Sequence, residues 1–97
     1  MAEKIKDTFL EDKSEALRTL CLILHNKYNV SISSTAEGIG LRVTYYSDFL
    51  TSRRKNLKRK NLHLIETFIF DLYEPLLVVE MKLNRIKIPE DKTLFVI

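Results

Sequence analysis

A chain of 97 residues, 45% apolar and 30% charged, with two Gly and two Pro, has the make-up of one small folded domain and excludes a collagen-like or low-complexity protein. One cysteine cannot close an internal disulfide, residues 1–7 carry no apolar leader, and no apolar stretch nears the roughly 20 residues of a membrane span. An intracellular protein with no membrane partner is therefore expected, cytoplasmic or, in a eukaryote, nuclear.

The net charge of +3 is unevenly distributed. Arg53, Arg54, Lys55, Lys58, Arg59 and Lys60 supply six of the sixteen basic residues, leaving ten Lys and Arg against thirteen Asp and Glu elsewhere. A +6 patch thus sits on a body of −3, and no acidic residue interrupts it between Asp48 and Glu66. A local basic block of this kind calls for an anionic partner.

In chain order, the first predicted element is a helix over about 8–28. Leu10, Leu17, Leu20, Cys21, Leu24 and Tyr28 form one stripe at helical spacing, and Thr8 with Glu11 has the spacing of a capping box. From Val30 to Tyr46 the pattern changes to period two: Val30, Ile32, Ile39, Leu41, Val43 and Tyr45 alternate with polar residues, which predicts a half-buried hairpin turning near Gly38 and Gly40. In that phase Arg42 and Tyr46 face outward, while Tyr45 and Phe49 face the core.

Residues 47–74 carry Leu50, Leu57, Leu64, Ile65, Phe68 and Leu72 on one helical stripe. Packing the first half closely would bury Arg53, Arg54 and Lys60, so 51–60 is expected to project as a basic arm or loop and the packed helix to run over 61–73. Residues 67–70 also have high β-propensity, which keeps a strand open there. Pro75 is expected to end the helix. Leu77, Val79, Met81 and Leu83 then alternate with polar residues as a strand, Ile86 and Ile88 suggest a short additional one, and 93–97 reads as a terminal strand. The expected fold is α+β: one domain over 1–97 with a tail at 1–7, element order α-β-β-α-β-β, and an antiparallel sheet carrying two helices on one face.

No chemical motif accompanies these elements. Two glycines exclude the phosphate-binding and nucleophile-elbow loops, and Cys21 with His25 makes an incomplete ligand set, so neither enzyme activity, cofactor nor metal is expected. The acidic pairs form no acid-base constellation. There is no RNA-recognition aromatic motif, no zinc-finger spacing and no clear helix-turn-helix pair, so sequence-specific base reading is not expected.

The leading expectation is a small non-enzymatic regulatory protein that binds DNA or RNA through phosphate contacts. Its site residues would be Arg53, Arg54, Lys55, Lys58, Arg59 and Lys60, with Arg42 and Tyr46 beside them. The alternative is a protein-interaction module or inhibitor, suited by its Lys-Asn-Ile-rich composition to a phage or viral accessory protein. It would dock the arm on an acidic partner surface, with Leu57 as apolar anchor. An apolar terminal strand and an uncovered sheet face lead to the further expectation of a homodimer.

Overall fold

The computed structural model describes residues 8–90, and all the secondary structure in them is helical. Four helices follow in order: α1, Phe9–Lys27; α2, Ile32–Ile39; α3, Val43–Leu50; and α4, Arg59–Asn84. The α+β expectation is overturned, since neither the hairpin nor the strand through Leu83 or at Ile86 and Ile88 exists. The proposed strand at 93–97 and the tail at 1–7 lie outside the described residues.

Helix α1 occupies nearly the predicted span and buries Leu17, Leu20, Cys21 and Leu24. Its start differs in detail. Thr8 makes no side-chain capping bond, and its hydroxyl instead donates to the Asp12 carboxylate at 3.0 Å. The opposite end stops at Asn29, whose φ of 56° reverses the chain.

Two short helices replace the hairpin because the local stop and start signals outweigh the alternation. Ser31 caps α2, its hydroxyl accepting from the Ser34 N–H at 3.1 Å. Nine residues later Gly40, with φ of 94°, occupies the left-handed region that a Cβ disfavours, and its N–H closes onto the Ala36 carbonyl at 2.9 Å. Within α2 the buried residues are Thr35, Ala36 and Ile39, a helical spacing. Gly38 lies inside α2 rather than at a turn, and its missing side chain makes room for the Phe68 ring. After Leu41 and Arg42 the chain re-enters a helix, and α3 buries Tyr46, Phe49 and Leu50.

Helix α4 corrects two further boundaries. It begins at Arg59, inside the run expected to project, and passes through Pro75 with a kink at Tyr73 (φ −125°, ψ 22°). Proline removes one backbone donor and crowds the preceding turn, so it bends this helix without stopping it. The helix ends at Arg85, which takes φ of 55° as a left-handed cap.

The core draws on every helix: Leu17, Leu20 and Leu24 from α1, Ala36 and Ile39 from α2, Tyr46 and Phe49 from α3, and Leu62, Ile65, Ile69 and Leu77 from α4. Helix α1 packs on both α3 and α4, and α2 packs on both α3 and α4. The basic segment between α3 and α4 is fastened to this core by Leu57, which is 2% exposed.

Candidate nucleic-acid interface

Helices α2 and α3 are each eight residues long, joined by Gly40, Leu41 and Arg42, and packed on one another. Two short packed helices joined by three residues share the connectivity of a helix-turn-helix, a pair not evident from the sequence. Its boundaries alone were signalled there. Ser31 before and Gly40 after an eight-residue span are a helix start and stop, and Ala36, Tyr46 and Phe49 are the core positions of two helices rather than one face of a strand.

In helical α3 Phe49 is buried as expected and Tyr45 is half-buried, but the place of Tyr46 is corrected. Tyr46, expected outside, has no exposed surface and cannot stack on a base. Its hydroxyl shares a 2.7 Å hydrogen bond with Nε2 of His25, while His25 Nδ1 lies 2.7 Å from the Val30 carbonyl, so the tautomer with its hydrogen on Nδ1 satisfies both. Burial raises the Tyr46 phenol well above its ordinary value, with Cys21 adding to the effect. Burial likewise pushes the Cys21 thiol up to about 12, partly offset by its hydrogen bond with Tyr46, so Cys21 is a packed group and no nucleophile. On α3, Val43 and Thr44 are exposed and Ser47 and Asp48 half-buried beside them, one face of small or polar side chains, with half-buried Tyr45 at its edge.

Cations stand at both ends of this face. Arg42 is exposed at the N-cap of α3, and Arg53, Arg54 and Lys55 are exposed just beyond its C-terminus. An eight-residue helix is about 12 Å long. Lys58 and Lys60 are exposed as well, whereas Arg59 is half-buried with its guanidinium 5.0 Å from the Phe9 ring centre.

The run is a built loop rather than a free arm, and the residue that builds it was not a candidate from sequence. Arg18 of α1 is 5% exposed. Its Nε donates to the Phe49 carbonyl at 2.6 Å, and its Nη2 to the Arg54 and Lys55 carbonyls at 3.2 and 2.7 Å. Nη1 completes the set with Glu15 at 2.9 Å, and the guanidinium lies 4.7 Å from the Phe49 ring centre. One planar fork therefore ties the end of α3 and the middle of the basic loop to α1. Two more contacts fix Arg54: its N–H donates to the Asp48 carbonyl at 3.0 Å, and its guanidinium lies over Tyr45 at 4.7 Å. Tyr45 is held in turn by Asn61, whose Nδ2 donates to its hydroxyl at 2.8 Å.

The cations of this loop adjoin the N-terminus of a helix. Lys58 is the N-cap of α4 and supplies no side-chain acceptor, and the first turn of α4 holds Arg59 and Lys60 with no acid. Cations thus crowd the positive end of a helix, an arrangement that an anion relieves. At the edge of the run Glu11 and Glu15 share a small polar cleft with Arg18 and Lys55.

Among the described residues no cluster of three or more His, Cys, Asp or Glu could hold a metal, and no helix is long and apolar enough to cross a membrane. The chain matches no protein-family model, and no curated protein or solved structure is significantly similar to it.

Proposed function

We propose that this chain is a small non-enzymatic regulatory protein that binds duplex DNA, laying α3 in a groove and holding the flanking phosphates with Arg42 and the 53–60 loop. The observation that carries the reading is the fixed position of the basic loop at the end of the second helix of a helix-turn-helix. That helix is the one which enters the major groove in this motif, and a groove about 12 Å wide admits it. Val43 and Thr44 bring methyl groups suited to thymine, and Thr44, Ser47 and Asp48 bring polar groups suited to base edges. The proposed base reading is therefore more specific than a basic patch alone implies, while Arg53, Arg54, Lys55, Lys58 and Lys60 supply the sequence-independent part.

The docking alternative loses its anchor. Leu57 was to fill a partner's pocket, but it is buried in this chain's own core.

Fluorescence anisotropy on a labelled duplex tests the proposal. Six exposed cations meeting phosphates, Arg42 and five from the loop, should give a slope of log affinity against log salt of about −5, from about −0.9 for each phosphate neutralised. Thr44→Ala should weaken preferred sequences more than random duplex, and Arg53→Glu with Lys55→Glu should weaken both alike. A slope near zero, or equal binding to duplex and to a neutral polymer, overturns the reading.

A further inference from the structure

The outward face of α3 has cations at both ends but carries one acid of its own. Asp48 follows Thr44 by four residues, so the two share a side of the helix, and it stands in the last turn, where the carbonyl end disfavours a negative charge. Two hydrogen bonds reach Asp48, from the Arg54 N–H at 3.0 Å and from the Thr51 hydroxyl at 3.4 Å, and both end on its backbone carbonyl. Among the described residues its carboxylate enters no ion pair and accepts no hydrogen bond.

The arginine bonded to its carbonyl is engaged elsewhere. The Arg54 guanidinium lies 4.7 Å from the Tyr45 ring centre, Tyr45 is held by the Asn61 amide at 2.8 Å, and the Arg54 carbonyl is held by Arg18 at 3.2 Å. These contacts draw Arg54 onto a ring and leave Asp48 without a counter-charge. An unpaired carboxylate on a surface that meets phosphates weakens every complex in which it finds no donor. In the major groove only adenine and cytosine present one, their N6 and N4 amino groups, while guanine presents two acceptors and thymine an acceptor and a methyl. Adenine sets its N7 acceptor beside the amino group and so repels a carboxylate; cytosine has no such neighbour on its own edge.

We propose that Asp48 is the residue that selects the base, accepting from the N4 amino group of cytosine, and that the ligand is duplex DNA with a cytosine at the last turn of α3. The inference rests on the reading of α3 as the helix that enters the groove. Four residues at about 1.5 Å each set Thr44 and Asp48 about 6 Å apart along the axis, close to two base-pair steps of about 3.4 Å. The thymine suited to Thr44 and the cytosine read by Asp48 therefore lie about two base pairs apart when α3 runs along the groove. Arg42 and the 53–60 loop hold the phosphates on either side, and Asp48 penalises any register that puts another base in place of the cytosine.

Sequencing the duplexes that the full chain retains from a randomised library provides the test, with anisotropy on a retained duplex and its single-base variants, and far-UV circular dichroism confirming that each protein variant keeps its helices. The wild type should enrich cytosine at one position, and replacing that base pair should weaken binding about fivefold. Asp48→Asn should move the preference there to adenine, since an amide pairs with N6 and N7 together, and Asp48→Ala should erase it while the other positions keep theirs. Both variants should hold random duplex about twofold more tightly, because a charge opposed to phosphate is gone. A merely structural role would instead alter all positions alike. No cytosine in the retained pool, or a cytosine preference that survives Asp48→Ala, overturns the inference, while salt-dependent binding to random duplex leaves the proposed DNA function standing. Absence of duplex binding overturns both.

Discussion

Arg18→Met removes the fork that joins α1, α3 and the basic loop while keeping an unbranched apolar stem. The Phe49 carbonyl loses a charge-assisted bond at 2.6 Å, worth about 1.5–3 kcal/mol, and retains weaker backbone contacts such as the Ser52 N–H at 3.2 Å. The Arg54 and Lys55 carbonyls belong to exposed residues and are rehydrated, so their loss costs about 0.5 kcal/mol each. The Glu15 carboxylate is 74% exposed and adds little. Release from burying the guanidinium offsets part of the total. The balance is a loss of about 2 kcal/mol, which lowers the melting temperature of a domain this size by about 10 °C. DNA affinity measured well below that temperature should fall too, although Arg18 is buried and has no phosphate to touch. Arg18→Lys keeps the charge without the fork and should resemble Arg18→Met in both assays. A melting temperature for Arg18→Met within about 2 °C of the wild type would refute the clamp.

Leu57→Ala should destabilise the protein by about 2–5 kcal/mol in urea titration, as loss of a packed core leucine does, and a near-neutral result would return this residue to the surface. Tyr46→Phe deletes the hydroxyl that meets His25 Nε2 and should cost about 1–3 kcal/mol, with Cys21 still unreactive toward a thiol reagent in the native state; unchanged stability would argue against the network. Glu80 accepts from Lys27 at 2.6 Å and from the Tyr28 hydroxyl at 2.7 Å, and those bonds, the Lys27 one first, hold its carboxyl below the ordinary carboxylate range. Its stabilisation is therefore present above that range and lost as pH falls through the lowered pKa. Lys27 and Tyr28 are both raised chiefly by their bonds to Glu80, so their contribution is lost as pH rises through their own raised values. Glu80→Gln should flatten both limbs of a melting-temperature profile, and an unaltered acid limb would contradict the assignment.

What could be read from the sequence depended on whether one period dominated. The stripe from Leu17 to Leu24 is helical in only one way, and α1 lies there. Between Val30 and Tyr45 the alternation straddles a turn: Ile39 closes α2, Leu41 sits in the connection and Val43 opens α3, so residues from three different elements imitate one strand. The backbone signals of Ser31 and Gly40 were the better guide. From Leu76 to Leu83 nearly every position is apolar, any period fits, and the kinked passage through Pro75 decided for a helix that buries Leu77 but exposes Val79. The basic run was legible as a charge feature. Its attachment was not, because Arg18 reaches carbonyls 31 to 37 residues away and Leu57 was hidden among cations.

The central claim is that α3 and the loop behind it form one DNA-binding surface, and an amide chemical-shift titration with a short duplex tests it residue by residue. The account predicts shifts gathered at Arg42, Val43, Thr44 and Ser47 and over 52–60, while the exposed end of α4 around Val79 and Leu83 stays unperturbed. Shifts confined to the α4 end, or the 52–60 loop responding while α3 remains silent, would contradict it.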